Sequence, residues 1–222
     1  MLEIPLAGRT APAEESLGDV AYRVIADRLI MLDIRPNEAI NETQLSAEMQ
    51  MGRTPIREAL RHLEGDGLAI SYPRKGTYAA PVNYADLDEI AQLRQALEPV
   101  AAGLAARTVR GEAAETFRQY LDIIRSLGPK PVEQSDLLRL DLAVHQLIYR
   151  TAGNRRLEET LLRYANLWTR VLGLALERRA PILDQLEDLG TVVSAILEKN
   201  PAAATELMAG HLARLTGFIR GT

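Results

Sequence analysis

The chain has 222 residues, 47% hydrophobic and 25% charged, with a net charge of -4. That balance supports one or two globular domains with substantial cores and excludes disorder and collagen-like structure. The absence of cysteine excludes a disulfide framework, a thiolate nucleophile and any Cys-ligated zinc or iron-sulfur site, so a metal would have to sit on His, Asp or Glu. No apolar run reaches the roughly 18 residues of a membrane span. Met1–Ala13 lacks the basic and apolar regions of a signal peptide, so a cytoplasmic protein is expected. Aromatics at 5%, with abundant Ala and Leu, favour helices over sheets. The overall charge argues against a wholly basic nucleic-acid binder but leaves room for a local basic face.

Residues 1–15, with Pro5, Gly8 and Pro12, show no periodicity and read as a loose arm. Ser16 and Asp19 then form a capping box, and Leu17, Val20, Ala21, Val24 and Ile25 recur at helical spacing up to about Leu32. Asn41 introduces a short helix over Glu42–Met49. A third helix is predicted from Thr54 as N-cap with Pro55 at the first helical position, its core face being Ile56, Ala59, Leu60 and Leu63. Gly65-Asp66-Gly67 stops it, and Leu68–Tyr72 and Thr77–Ala80 read as two strands around Pro73-Arg74-Lys75-Gly76. Pro81-Val82-Asn83 is the plausible hinge. From Ala85 the pattern is helical, and breaks at Gly111, Gly128–Pro131, Gly153-Asn154, Ala180-Pro181 and Asn200-Pro201 divide it into six helices. The expected domains are 16–81 and 84–222.

A short helix, a tight turn and a helix opening Arg53-Thr54-Pro55-Ile56-Arg57 make a helix-turn-helix, whose second helix enters the major groove. With the apolar stripe facing inward, Arg57 and Arg61 lie one turn apart on the outer flank and Arg53 sits at the same end. A guanidinium fork suits phosphate oxygens and the O6/N7 edge of guanine. Arg74, Lys75 and Gly76 suit a wing laid along the backbone or into the minor groove. From Gly52 to Tyr78 five cations face three carboxylates, a local balance of +2. The same charges also fit the solvated face of an ordinary helix.

The run Leu45-Ser46-Ala47-Glu48, then Arg53 to Glu64, Gly67-Leu68 and Lys75-Gly76 closely resembles the winged helix of the GntR family of bacterial transcription regulators. Gly52 stands where that family usually has Ser or Thr. The resemblance implies double-stranded DNA as partner, a palindromic operator bound by a homodimer, and Arg53, Thr54, Arg57, Arg61, Arg74, Lys75 and Gly76 as the DNA-binding residues. His62, on the other flank, reads as a surface residue.

In the helical region the informative residues are polar ones inside apolar stripes. Asp141 and His145, at i, i+4 spacing, lie beside Leu137, Val144 and Ile148; His211 falls among Ala204, Leu207, Met208, Leu215 and Phe218. One carboxylate and two imidazoles can surround a divalent cation and leave open positions. A buried Asp-His hydrogen bond with an unrelated histidine fits the same spacing. Arg94 shares the inner face of its helix with Leu87, Ile90, Leu97 and Ala101, either to meet an anion or to pair with Glu98.

Leu93-Arg94 with Glu98-Pro99 and Ala101-Ala102, Asp141 to His145 with Ala152-Gly153-Asn154, Ala195-Ile196-Leu197 and His211-Leu212 resemble the FCD effector domain of the FadR branch of the same family, in its shorter, VanR-like variety. The resemblance implies a mainly α protein, an N-terminal winged helix-turn-helix followed by a six-helix antiparallel bundle. It also implies one divalent metal ion (Zn, Ni or Mn) on Asp141, His145 and His211, and a small carboxylate effector met by Arg94 and Asn154. Leu189 stands where the fourth ligand of that pattern, a histidine, would fall. The function expected is a metabolite-responsive repressor rather than an enzyme. A metal-dependent hydrolase, a regulator without a metal and an architectural dimer are the alternatives.

Overall fold

The computed structural model of the chain describes Ile4 and residues 16–127, 132–177 and 182–220. The arm expected over residues 1–15, Ile4 apart, and the breaks expected at Gly128–Pro131 and Ala180-Pro181 lie outside the described residues. The chain divides into two compact units between Asn83 and Tyr84.

In the first unit, α1 (Leu17–Ile30) starts at Ser16, whose hydroxyl accepts the Asp19 N–H at 3.1 Å and donates to Asp19 Oδ2 at 2.7 Å. Ser16 is thus the N-cap as expected, but the reciprocal half of the capping box is not made, since the aspartate bonds the hydroxyl instead of the Ser16 backbone. The helix stops short of the expected Leu32 because that residue takes a φ of 67°, which lets the Ile34 N–H reach back to the Arg28 carbonyl. Asn41 caps α2 (Glu42–Glu48) by accepting from Thr43 and Gln44.

Helix α3 (Arg53–Gly65) corrects the expected start: Gly52, in extended conformation, is the N-cap, and Thr54 and Pro55 lie inside the first turn. Proline is tolerated there because the first turn's N–H groups have no helical acceptor in any case. Ile56, Ala59, Leu60 and Leu63 are buried as predicted and pack α3 against α1, whose Ala21, Ile25 and Leu29 are fully buried. The strands β1 (Ala69–Tyr72) and β2 (Gly76–Ala79) pair antiparallel with Ala69 opposite Ala79, and Ala39 adds a bridge to Tyr78 that sequence reading missed.

The α3 N-terminus lacks a side-chain cap, and Gly52 has φ -64° with nothing nearer its missing Cβ than Pro55 at 3.9 Å. A serine fits without strain, restores a cap and loses less chain entropy on folding. Gly52→Ser should raise stability by about 0.5–1 kcal/mol, seen as a higher urea midpoint at unchanged slope. A lower midpoint would show that the serine is not accommodated.

The second unit is a six-helix antiparallel bundle: α4 (Tyr84–Thr108), α5 (Gly111–Ser126), α6 (Gln134–Thr151), α7 (Arg155–Leu176), α8 (Leu183–Leu197) and α9 (Pro201–Arg220). Helix α4 packs against α6, α7, α8 and α9. Small residues make this possible: Ala101, Ala102, Ala105 and Ala106 are fully buried, and a Cβ on Gly103 would lie 2.5 Å from the Thr205 hydroxyl of α9. Gly153, at φ 69°, ends α6, and Asn154 caps α7. Asn200 accepts from the Ala203 N–H ahead of Pro201, the cap-then-proline arrangement expected at Thr54-Pro55 but realised here. Among the described residues no helix is long and apolar enough to cross a membrane.

Candidate DNA interface and candidate metal centre

On the first unit, Arg53, Thr54, Arg57 and Arg61 are exposed on α3, as the amphipathic pattern requires. Arg57 is held by α2 through an ion pair, Nε to Glu42 Oε2 at 2.9 Å, with the guanidinium side chain still 61% exposed. The turn between α2 and α3 depends on other residues than Gly52. Gln50 takes φ 52°, the Met51 N–H bonds to the Ser46 carbonyl, and the Ser46 hydroxyl donates to the Met51 carbonyl.

Arg74, Lys75 and Gly76 are exposed at the hairpin tip. The Lys75 N–H bonds the Tyr72 carbonyl at 3.0 Å, with Pro73 at the second position and Arg74, at φ 65°, at the third, the pattern of a type II turn. His62 is exposed, with its ring edge-on to Tyr22.

In the second unit three helices bring polar groups into the bundle core. Helix α4 supplies Arg94 and Glu98, α6 supplies Asp141, His145 and Tyr149, and α9 supplies His211. Each of the five charged or imidazole groups is at most 2% exposed. Arg94 and Glu98 are ion-paired through Nε and Oε1, and the Arg94 guanidinium carbon lies 4.9 Å from the centre of the Trp168 ring on α7. The second Glu98 oxygen is 2.8 Å from His145 Nδ1. The other face of the same ring, at Nε2, lies 3.3 Å from His211 Nε2 and 3.9 Å from Asp141 Oδ1.

The electrostatics follow from burial. Desolvation alone would neutralise Glu98, but the Arg94 guanidinium first, and then the adjoining His145 ring, hold its carboxyl well below the usual range. Arg94 is likewise kept charged against burial by Glu98. Burial pushes the Asp141 carboxyl up, with His145 and Arg94 opposing and the Glu98 carboxylate adding to the rise. Burial first, then the neighbouring His145, pulls His211 well below its ordinary value and keeps the ring neutral. Burial first, and then the negative Glu98 beside it, keep Tyr149 protonated.

The ligand-capable atoms of Asp141, His145 and His211 all lie within 4.8 Å of one another. Asp141 Oδ1 and His211 Nδ1 are buried without a hydrogen-bond partner among the described residues. A buried carboxylate oxygen left in this state is costly, and a cation touching all three residues would remove the cost. Two imidazoles and a carboxylate suit Zn, Ni or Mn, so the residues fit a divalent metal. Leu189, where the resemblance places a fourth ligand, is fully buried on α8 with Leu186, Val193 and Ile196.

Of the two residues expected to meet an effector, Arg94 is in the cluster, where its Nη1 is buried without a hydrogen-bond partner among the described residues. Asn154 is exposed, and its Oδ1 caps α7 by accepting the Leu157 N–H. Sequence reading missed Tyr149, Trp168 and the link from Glu98 to His145. Tyr149 lies one turn beyond His145, so a continued i, i+4 search from Asp141 would have found it.

Residues 17–79 match the bacterial regulatory proteins of the gntR family, and residues 89–214 match the FCD domain. The HTH-type transcriptional regulator YdhC of Bacillus subtilis (strain 168) is 30% identical over 179 residues, 80% of this chain and 79% of that protein. The HTH-type transcriptional repressor RspR of Escherichia coli (strain K12) is 24% identical over 90% of this chain and 87% of its own length. Among solved structures, E. coli McbR/YncC superposes with a TM-score of 0.81 at 18% identity, covering 94% of this chain and 99% of that one. A GntR regulator from Rhodococcus sp. RHA1 gives 0.71, also at 18% identity with 94% and 99% covered, and both likenesses bear on the fold alone. With an exposed basic recognition helix, a wing and a matching helical domain, the chain belongs to the GntR family as a DNA-binding transcription regulator with an FCD effector domain.

Proposed function

We propose that the protein is a metabolite-responsive repressor acting in the cytoplasm as a homodimer on a palindromic operator. Its helical domain would hold one divalent cation on Asp141, His145 and His211 and receive a small organic acid there with Arg94. The convergence of those three side chains from α6 and α9, with an orphaned carboxylate oxygen among them, is the observation that carries the reading. When bound, such a cation supplies a positive centre with open positions for effector oxygens. The sign of control follows the relative named a repressor. A regulator rather than a hydrolase is favoured because Glu98, the carboxylate nearest His145, is already engaged by Arg94 and His145 and is not free to act as a general base.

DNA affinity would come mainly from phosphate neutralisation, with base selectivity from Arg53, Thr54 and Arg57. Genomic fragments retained by the purified protein should be released by a subset of small organic acids, and less readily after chelation. Release by none of them would remove the effector role.

Arg57→Ala should weaken operator binding by about 1–3 kcal/mol and reduce the salt slope. Arg57 must exchange Glu42 for DNA, and an exposed pair is worth at most about 1 kcal/mol, so the loss falls toward the lower half of that range. Unchanged affinity in a gel-shift titration would take α3 out of the recognition role. Lys75→Ala should lower affinity about equally for operator and unrelated DNA, because a wing tip on the backbone reads no sequence.

A further inference from the structure

We infer that Glu98 is a positioning residue for His145: its carboxylate, oriented by Arg94, accepts the Nδ1–H of His145 and so commits the ring to present an unprotonated Nε2 toward Asp141 and His211. The metal-binding consequence rests on the reading proposed above; the positioning itself does not.

The two oxygens of Glu98 divide their work. One pairs with Arg94 Nε, the other lies 2.8 Å from His145 Nδ1. An i, i+4 ion pair between Arg94 and Glu98 would account for the first contact alone. The second crosses from α4 to α6 and meets the ring on the side away from the metal-ligand candidates. Among the described residues this Glu98 oxygen has no other hydrogen-bond partner, and an ionised carboxylate can only accept, so a proton on the Nδ1 facing it at 2.8 Å is the donor it lacks.

The neutral ring then has its lone pair at Nε2, the atom 3.3 Å from His211 Nε2 and 3.9 Å from Asp141 Oδ1. Without Glu98 the two tautomers of a buried imidazole would be free to exchange. Tyr149 is the other group near Nδ1, with its hydroxyl 3.4 Å away. Arg94, stacked on Trp168, fixes the carboxylate from behind. The order of control is Trp168 and Arg94, then Glu98, then His145. A carboxylate behind a ligating histidine fixes its tautomer and strengthens it as a donor, and its loss typically lowers metal affinity about 10–100-fold.

The chain has three histidines, so nitrogen-15 spectra of histidine-labelled, full-length, metal-free protein resolve each ring, with His62→Gln assisting assignment. His145 should carry its proton on Nδ1 in the wild type and keep it there in Tyr149→Phe, which leaves Glu98 in place. In Glu98→Gln the Nε2–H form should become populated, and Zn2+ affinity measured against a chelating dye should fall about 10–100-fold, with operator binding retained.

An Nε2–H ring in the wild type, or a tautomer that changes in Tyr149→Phe, overturns the inference even if Glu98→Gln fails to fold. Equal Zn2+ affinity in wild type and Glu98→Gln overturns it while leaving the metal reading intact. A wild type that takes up no Zn2+ ends the metal reading, and the tautomer then decides the role of Glu98.

Discussion

Arg94→Leu should lower the unfolding free energy of the helical domain by about 3–5 kcal/mol, the range observed when one member of a buried ion pair is removed. Arg94 and Glu98 are 2% and 0% exposed, so deleting the guanidinium strands a desolvated carboxylate with the His145 ring as its remaining polar neighbour. Most of the loss is therefore a penalty on Glu98 and not the worth of the pair itself. Replacing both residues, Arg94→Leu with Glu98→Leu, should recover much of it, since apolar groups of similar size fill such a site at little net cost.

The effect should also depend on pH. Glu98 is held well below its ordinary value of 4.5, so its contribution is complete above that pH and is lost as pH falls through the depressed folded value. The difference between wild type and Arg94→Leu should accordingly shrink in acid. Urea denaturation at several pH values measures this. A loss below about 1 kcal/mol at neutral pH would mean that Glu98 is rescued by other groups.

Leu189→His should raise divalent-cation affinity by at least about tenfold, whereas His211→Ala should lower it by a comparable factor. Leu189 is fully buried on the inward face of α8, so an imidazole there is desolvated, and without a partner it costs about 1–3 kcal/mol. The metal-free variant should therefore melt below the wild type. Added Zn2+ should raise its melting temperature by more than it raises that of the wild type, because the ion binds only the folded state. Melting that responds equally in both proteins would place Leu189 away from the cluster.

Much of the fold was legible because periodicity and punctuation agreed. The stripe Ile56, Ala59, Leu60, Leu63 is buried as the 3.6-residue pattern demands, and Gly153-Asn154 and Asn200-Pro201 end and start helices as their conformational preferences require. The start of α3 was misread because two signals competed. Thr54 is a good cap, but proline fits anywhere in the first turn, so Pro55 did not fix the phase, and the extended Gly52 took the capping position. The bridge from Ala39 to Tyr78 was not legible either, since one residue has no periodicity.

The same contrast holds in the bundle core. Asp141 and His145 share a helix face by spacing, and His211 interrupts an apolar stripe, so each stood out alone. That Glu98 turns one oxygen to Arg94 and the other to His145 depends on how α4 lies against α6, which no local pattern encodes. Asn154 carried a strong local signal, and in the structure that signal is a helix cap.

The claim that Asp141, His145 and His211 form a cation site is tested most directly by metal content. Full-length protein, stripped with a chelator and dialysed against Zn2+, should retain one ion per chain by elemental analysis, and the double variant Asp141→Asn with His211→Ala should retain none. No bound zinc in the wild type, or the same amount in the double variant, would contradict the assignment.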